Sequence, residues 1–281
     1  MRVASIGFIA HSQREGAVSL AKETADWLRE QGHSTTFLDA GMSRNGEPPM
    51  PLDLAVSLGG DGTMLRTVDL VSPQGVPVLG VNLGHLGYLA AVEPHDLRRA
   101  LRRFLTGDYK VECRMSLDVS VTDHCDGGVG TVLHRSALND VVLQRTSPGH
   151  TMRTEVSVNG VPFLKFASDS LILATPTGST AYNLSARGPI VSPLAQVQIL
   201  TPVAPHMLFD RSLVLDADEA VSVVPLGEQA ADVVIDGWLT TTLRPGQTIH
   251  SRRGSSDARL VTFGERDFHR ILKSKFNLSD R

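Results

Sequence analysis

The first hundred residues alternate between short apolar runs and helical stripes, which restricts the opening of the chain to a parallel sheet with helices on its faces. Val3–Ile9 reads as a buried strand, and Val18, Leu20, Ala21, Ala25 and Leu28 recur at helical spacing before a stop at Gly32. Thr35–Leu38, Leu54–Leu58 and Val76–Val81 read as further strands, with Met64–Leu70 as a helix. Gly41–Pro51 holds Gly41, Asn45, Gly46, Pro48, Pro49 and Pro51, a density of breakers that predicts a mobile surface loop. Pro94–Leu105 carries Leu97, Ala100, Leu101, Phe104 and Leu105 on one stripe, with Arg98, Arg99, Arg102 and Arg103 around the rest of the wheel as a solvated face.

After Asp108 the pattern changes to short runs: Leu117–Val121, Val132–Leu133, Val141–Leu143, Val156–Val158, Leu171–Leu173, Val197–Leu200, Val221–Val224 and Val233–Ile235. Turn-forming residues separate most of them, so a second, β-rich domain is expected, with a boundary near Asp108 to Arg114. The ranges are 1–110 for the α/β domain and 111–260 for the β-rich one. Residues 261–281 form a closing segment, with Phe263–Phe276 as a helix packing back on the first domain. A length of 281 residues suffices for two such cores.

The charge balance excludes some partners. With 27 Lys plus Arg against 30 Asp plus Glu, the net charge of −3 argues against a protein that lives on nucleic-acid backbone. Cys113 and Cys125 form no disulfide framework and no zinc pattern, so a reducing, cytoplasmic compartment is expected. No stretch reaches membrane-spanning length. His124, Cys125 and His134 have no metal-ligand spacing, and no protein metal site is expected. Trp27 and Trp238 read as core or edge packing, with a place near a ligand as the alternative for Trp238.

Four segments carry chemistry. Gly59-Gly60-Asp61-Gly62-Thr63 follows the strand Leu54–Leu58, where α/β proteins bind ligands. Its glycines let backbone N–H groups approach a polyphosphate at a helix start. An acidic residue in an anion cradle repels phosphate unless it accepts a proton from a nucleophile or helps to hold a metal. The competing explanation is an Asp-Gly turn with Thr63 as N-cap. Asn82-Leu83-Gly84-His85-Leu86-Gly87-Tyr88-Leu89 follows the next strand at the same edge, with Asn82 suited to bond a ligand or its own turn. Asn139-Asp140 offers donors and acceptors for ribose hydroxyls and adenine edges.

The fourth segment is the most specific. Ser168-Asp169-Ser170 leads into a strand and then Thr175-Pro176-Thr177-Gly178-Ser179-Thr180-Ala181-Tyr182-Asn183-Leu184-Ser185, with six hydroxyl-bearing residues in eleven positions. That density suits a polar ligand over a short helix, while the setting of Ser179 does not fit a hydrolase nucleophile. No Gly-Lys pair and no G-x-G-x-x-G stretch occurs, so neither a P-loop nor a Rossmann fingerprint is present.

Taken in order, GGDGT, NLGHLGYL, ND, ATPTGSTAYNLSARGPIVSP and TPVAPHMLFDRSL resemble the NAD kinase family over Ile6 to Gly237. The resemblance implies phosphorylation of the 2′-hydroxyl of the adenosine ribose of NAD by ATP or polyphosphate with Mg²⁺, giving NADP. It also implies an α/β N-terminal domain, a sandwich-like β domain and a dimer or tetramer. By position it makes Asp61 the catalytic aspartate, Gly62 its neighbour at the nucleotide and Arg66 a residue facing phosphate; Gly59, Gly60 and Thr63 join them through the glycine-loop reading, and residue chemistry makes Asp61 the general base for the ribose hydroxyl. Asn139 and Asp140 then serve the acceptor's ribose and adenine, and Thr180, Ala181, Tyr182 and Ser185 line the NAD pocket, with Thr177 and Ser179 of the hydroxyl-rich segment as further binding candidates. His150 and Asp169 match positions at the dinucleotide. The chain departs from the family pattern at Asp140 (commonly Glu), Ser170 and Arg187 (commonly Gly) and Ala167 (Arg in some members), where Lys165 is placed to supply the charge. Two rivals share parts of the pattern: a lipid kinase, through the glycine loop, and a non-catalytic dinucleotide sensor.

Overall fold

The computed structural model describes residues 3–39, 51–84, 87–90, 92–125, 128–147, 149–264 and 268–278, with backbone alone at 124, 125, 128 and 129. Two compact units result: Met1–Cys113 together with Ser256–Arg281, and Arg114–Ser255. In chain order the first contains β1 (Ser5–Ala10), α1 (Glu15–Glu30), β2 (Ser34–Phe37), β3 (Leu54–Gly59), α2 (Asp61–Val71), β4 (Val78–Asn82), α3 (Leu97–Leu105) and β5 (Lys110–Arg114). The second runs from β6 (Leu117–Cys125), β7 (Gly128–Ala137), β8 (Asp140–Arg145), β9 (Met152–Val158), β10 (Val161–Ser168) and β11 (Ser170–Ala174) to α4 (Tyr182–Ser185). It continues through β12 (Val197–Val203), β13 (Leu213–Asp216), β14 (Val221–Pro225), β15 (Ala231–Ile235), β16 (Trp238–Leu243) and β17 (Thr248–Arg253). The chain then returns to the first unit as β18 (Ala258–Thr262) and α5 (Phe268–Lys275).

The first unit is a six-stranded sheet of order β2-β1-β3-β4-β18-β5, with β2, β1, β3, β4 and β18 joined in parallel. Every residue of β3 and β4 is buried, as expected of central strands covered on both faces. Ile6, Phe8, Leu54, Val56, Leu58, Leu79 and Val81 form a core with the buried stripes of α1 and α3. Gly80, between two of those residues, faces the other way, toward Met64 of α2. The chain leaves β1 toward β2 on one side and places β3 on the other, so the carboxyl ends of β1 and β3 flank a topological switch point.

The second unit contains two antiparallel sheets, β10-β9-β14-β17-β6-β7 and β13-β12-β11-β8-β15-β16. One core joins their facing sides, with Leu117, Val119, Val121, Val156, Val223 and Ile249 from the first and Val141, Leu143, Leu171, Leu173, Leu200 and Val233 from the second. A smaller core, Val142, Ile172, Ala174 and Ile199, lies on the opposite face of the second sheet, with Ala186 and Val191 of the segment after β11 packed on it.

Several expectations need correction. Helix α2 begins at Asp61, not near Met64, and its N-cap is Gly60 without a side-chain bond, so Thr63 is no cap. The Pro94–Leu105 stripe divides into a 3-10 turn at Pro94–Asp96 and α3. Residues 258–260, expected in the β-rich domain, lie in β18 of the first sheet, whose Leu260 pairs with Val78. Strands β10, β13, β16 and β17 are not among the expected runs; β10, β13 and β16 lie at sheet edges, where an exposed face weakens the apolar pattern. The expected loop at 41–50, His85 and the side chains of His124 and Cys125 lie outside the described residues. The helix read over Phe263–Phe276 is α5, starting at Phe268, with 265–267 outside the described residues. Cys113 is free and exposed. Trp27 is only partly buried, with the guanidinium groups of Arg98 and Arg102 over its ring at 5.7 and 5.4 Å. Among the described residues no helix is long and apolar enough to cross a membrane.

Candidate functional site

The glycine loop is built by the passage from β3 into α2. A β-carbon on Gly59 would collide with the Thr63 side chain, so this glycine is a packing requirement. Gly60 and Gly62 differ: a β-carbon at either would meet nothing within 4 Å, and neither has a positive φ. The carbonyl of Gly60 accepts the N–H groups of Thr63 and Met64 at 3.0 and 3.1 Å, closing the first helical turn. The earlier N–H groups of the helix start have no partner within the helix. Thr63 is buried and Arg66 exposed on the same helix.

Asp61, the first residue of α2, turns its carboxylate to the segment after β4. The backbone N–H groups of Tyr88 and Leu89 donate to its Oδ2 and Oδ1 at 3.0 and 3.2 Å. Gly87 has no room for a side chain against that carboxylate. Two bonds occupy half of a carboxylate's acceptor capacity, leaving lone pairs for a further donor. Burial, and then the Asp61 charge, raise the Tyr88 phenol above its usual range. The Lys275 ammonium of α5 lies 4.3 Å from the centre of the Tyr88 ring. Asn82 is buried and closes its own turn with Gly84, donating to its carbonyl at 3.2 Å and accepting its N–H at 3.3 Å. Of the two roles read for it, the turn is the one observed. From the β1–α1 connection, Arg14 donates to the Leu83 carbonyl at 2.6 Å.

In the second unit, Asn139 and Asp140 stand at the entry to β8, beside the turn between β15 and β16. Asp236 in that turn accepts the N–H of Leu138 on Oδ2 at 2.9 Å, and those of Asn139 and Asp140 on Oδ1 at 2.7 and 3.1 Å. The carbonyls on the other side are taken by Thr175, whose N–H bonds Asn139 at 2.8 Å and whose hydroxyl bonds Leu138. A β-carbon on Gly178 would collide with the Asn139 backbone, so the Thr175–Ser185 segment lies directly against the pair. Asp140 is 5% exposed. Burial, and then the Asp236 charge, push its carboxyl up to about 7, against the Tyr182 backbone N–H that bonds its ionised form.

The hydroxyl-rich segment divides its residues between two tasks. Thr175, Thr177 and Ser179 are buried. The Ser179 hydroxyl, 0% exposed, is spent on both the N–H and the carbonyl of Val191, so it holds the loop and reaches no ligand in this conformation. Thr177 receives Arg114 Nη1 at 3.3 Å. Asn183, also buried, ties Ser179, Pro189 and Thr201 together. Thr180, Ala181, Tyr182 and Ser185 retain exposure, with Tyr182 at 41%.

His150, Lys165 and Asp169 do not join this cluster. Ala174 pairs with Asp140 and Ser170 with Gln144, so Asp169, one residue beyond Ser170, lies past the far end of the same two strands, about 17 Å away at 3.4 Å per residue. There Arg145 pairs with Asp169 at 3.4 Å and donates to the His150 carbonyl at 3.5 Å. Lys165 pairs with Glu155 at 3.2 Å, so its charge is engaged within its own sheet. Sequence reasoning passed over Asp236, Arg145 and Lys275. Asp236-Gly237 carried a signal, an Asp-Gly pair between two apolar runs, whereas Arg145 and Lys275 had none.

Residues 46–109 match the model of the ATP-NAD kinase N-terminal domain, and residues 138–263 that of the ATP-NAD kinase C-terminal domain. An NAD kinase of Heliobacterium modesticaldum is 38% identical over 280 residues, covering 96% of this chain and 98% of its own. NAD kinase 1 of Streptomyces coelicolor is 34% identical, over 100% of this chain and 87% of its own. Among solved structures, yeast NADH kinase complexed with NADH superposes with a TM-score of 0.87 at 24% identity, covering 99% of this chain and 89% of that one. An NAD kinase from Archaeoglobus fulgidus in complex with ATP gives 0.74 at 24% identity, covering 99% and 100%. A relative this similar over nearly the whole of both chains places the protein: it belongs to the NAD kinase family.

Proposed function

We propose that this NAD kinase transfers a phosphoryl group from ATP to the 2′-hydroxyl of the adenosine ribose of NAD, giving NADP and ADP, with Asp61 as general base. The observation that carries the reading is the open space at Gly60 and Gly62. Both glycines leave the backbone of the helix start uncovered, with no side chain of their own over it, so a ligand's phosphates can approach its N–H groups closely. A donor triphosphate fits this opening, received by the N–H groups of the helix start.

A ribose hydroxyl is a poor nucleophile at neutral pH, so a carboxylate must take its proton as the P–O bond forms. Asp61 has the lone pairs for it, and its bonds to Tyr88 and Leu89 hold it in one orientation. Magnesium enters with the donor as part of the substrate, neutralising phosphate charge.

In the second unit Asn139 and Asp140 recognise the acceptor's ribose and adenine, Thr180, Ala181, Tyr182 and Ser185 line the pocket, and Thr177 and Ser179 hold its wall. His150 and Asp169, joined through Arg145, serve a more distant part of the dinucleotide. Self-association to a dimer or tetramer belongs to the same reading and is tested by native mass measurement. So does a reducing, cytoplasmic location, which the free, exposed Cys113 suits.

The test mixes purified protein with NAD, ATP and magnesium, reads NADP through an NADP-specific dehydrogenase, and runs Asp61→Asn beside the wild type. NADP formation that falls by roughly 10²- to 10⁴-fold in a folded variant supports the base assignment. Near-wild-type turnover in that variant removes Asp61 from the mechanism. No NADP from folded wild type, with polyphosphate and NADH also tried, overturns the kinase reading.

A further inference from the structure

Asp236 occupies a position that turn chemistry alone does not explain. It and Gly237 link β15 to β16 with φ of 50° and 85°, the two left-handed residues of a tight hairpin whose flanking pair is Ile235 and Trp238. Asparagine serves that conformation at least as well as aspartate. What asparagine lacks is the second acceptor oxygen and the charge, and here both are in use. Oδ1 takes the N–H groups of Asn139 and Asp140 while Oδ2 takes that of Leu138. The Asp236 N–H returns to the Asp140 carbonyl at 3.0 Å, making the link reciprocal. With Thr175 holding the Leu138 and Asn139 carbonyls, the backbone at this strand entry is bound on both sides. Its side chains are then what remains for recognition.

We propose that Asp236 is the positioning residue that presents Asn139 and Asp140 to the dinucleotide. The inference rests on the reading that those two residues bind the acceptor. It extends that reading by assigning the orientation of the pair to a third residue, a carboxylate some hundred positions later in the chain.

The same arrangement makes Asp236 an electrostatic partner of Asp140. Ala174 of β11 faces Asp140 across the ladder, the segment after β11 contributes the Tyr182 N–H, and from the β15 side the charged group is Asp236. An ionised carboxylate accepts ribose hydroxyls on both oxygens through charge-assisted bonds, whereas a protonated one keeps a weaker carbonyl acceptor and turns the other oxygen into a donor, so NAD recognition by Asp140 weakens as the pH falls and the carboxyl protonates. Removing the neighbouring charge lets Asp140 ionise more readily.

The experiment uses the full-length enzyme with Asp236→Asn, Asp236→Gly and Asp140→Asn, comparing initial rates in NAD and in ATP across pH 5.5–8.5, with thermal unfolding of each. Asn and Gly both suit the left-handed position, so the turn is expected to survive in each variant. For Asp236→Asn the expected results are a KM for NAD raised roughly 10-fold, an unchanged KM for ATP, and an acid limb of kcat/KM for NAD displaced to lower pH. Asp236→Gly, which loses all three acceptor contacts, is expected to raise the KM for NAD further. An unchanged KM for NAD with an unmoved acid limb overturns the inference. So does an equal loss toward NAD and ATP with an unmoved acid limb, the mark of a merely structural residue. If Asp140→Asn leaves NAD affinity unchanged, the acceptor-site reading itself fails, and that outcome is distinct from a failure of Asp236 alone.

Discussion

The Asp61 carboxylate lies where a β-carbon on Gly87 would have to go. The next two residues then donate their N–H groups to the same carboxylate, so the segment after β4 forms a socket for a side chain of α2. Gly87→Ala is expected to push Asp61 off these bonds and lower kcat by roughly 10²-fold, the scale of an ångström-sized misplacement of a reacting group. The overpacking is expected to cost about 1–3 kcal/mol of stability. Initial rates and thermal unfolding on the same preparation check both; an unchanged kcat shows that Asp61 does not act from this socket.

Gly62 provides the opposite combination. It lies inside α2, its added β-carbon would meet nothing, and alanine is the better helix former. Gly62→Ala is therefore expected to raise stability by about 0.5–1 kcal/mol while weakening ATP, because the new methyl stands where the donor must approach. Thermal unfolding without ligand and the KM for ATP are the measurements. A stabilised variant with unchanged KM for ATP would place the donor elsewhere.

These two glycines also mark how far the sequence could be read. The alternation up to Leu105 gives the parallel sheet, because strands buried on both faces and amphipathic helices carry periodic signals. GGDGT at a strand end locates the loop, but whether each glycine serves packing or a ligand depends on what its β-carbon would meet, which only the fold determines. Strand β18 escaped because Ala258–Thr262 follows a long β-rich stretch and its pairing with β4 spans most of the chain. The hydroxyl count after β11 was legible, the division of labour was not: Ser179 and Tyr182 look alike as polar letters, yet one is sealed inside and the other half open.

Asp140 carries a pH signature. Its carboxyl is raised from the ordinary 3.8 to about 7 by burial and then by Asp236, so between those values the folded protein holds a proton that the unfolded chain has released. Stability attributable to this group therefore falls as pH rises from about 4 to 7, and the full penalty stands above 7. At 1.36 kcal/mol per pH unit, the interval is worth about 4 kcal/mol at most. Asp140→Asn is expected to make the unliganded protein more stable at pH 8, with the advantage shrinking toward pH 4, while NAD affinity drops. Urea unfolding of both proteins across pH 4–8 measures this. A pH-independent difference would show that Asp140 is ionised throughout the range.

Arg187 stands at one of the few left-handed positions held by a residue other than glycine, with φ of 64°. It ends the short helix α4: its N–H donates to Leu184 at 3.0 Å, and the following Gly188 N–H donates to Asn183 at 2.8 Å. The turn brings Gly188 so close to the Asn183 side chain that a β-carbon there would collide with it. The backbone cannot relax by swinging φ negative without losing these bonds, so a branched-off side chain at 187 keeps a strain that glycine lacks. Because the Arg187 side chain is exposed, its removal takes away little packing. Arg187→Gly is expected to stabilise the protein by roughly 0.5–1 kcal/mol, the left-handed penalty less the entropy that glycine restores to the unfolded chain. Thermal unfolding compares it with Arg187→Ala, which retains the β-carbon and is expected to gain nothing. Equal melting temperatures for all three proteins would show that the left-handed position of Arg187 costs no net strain.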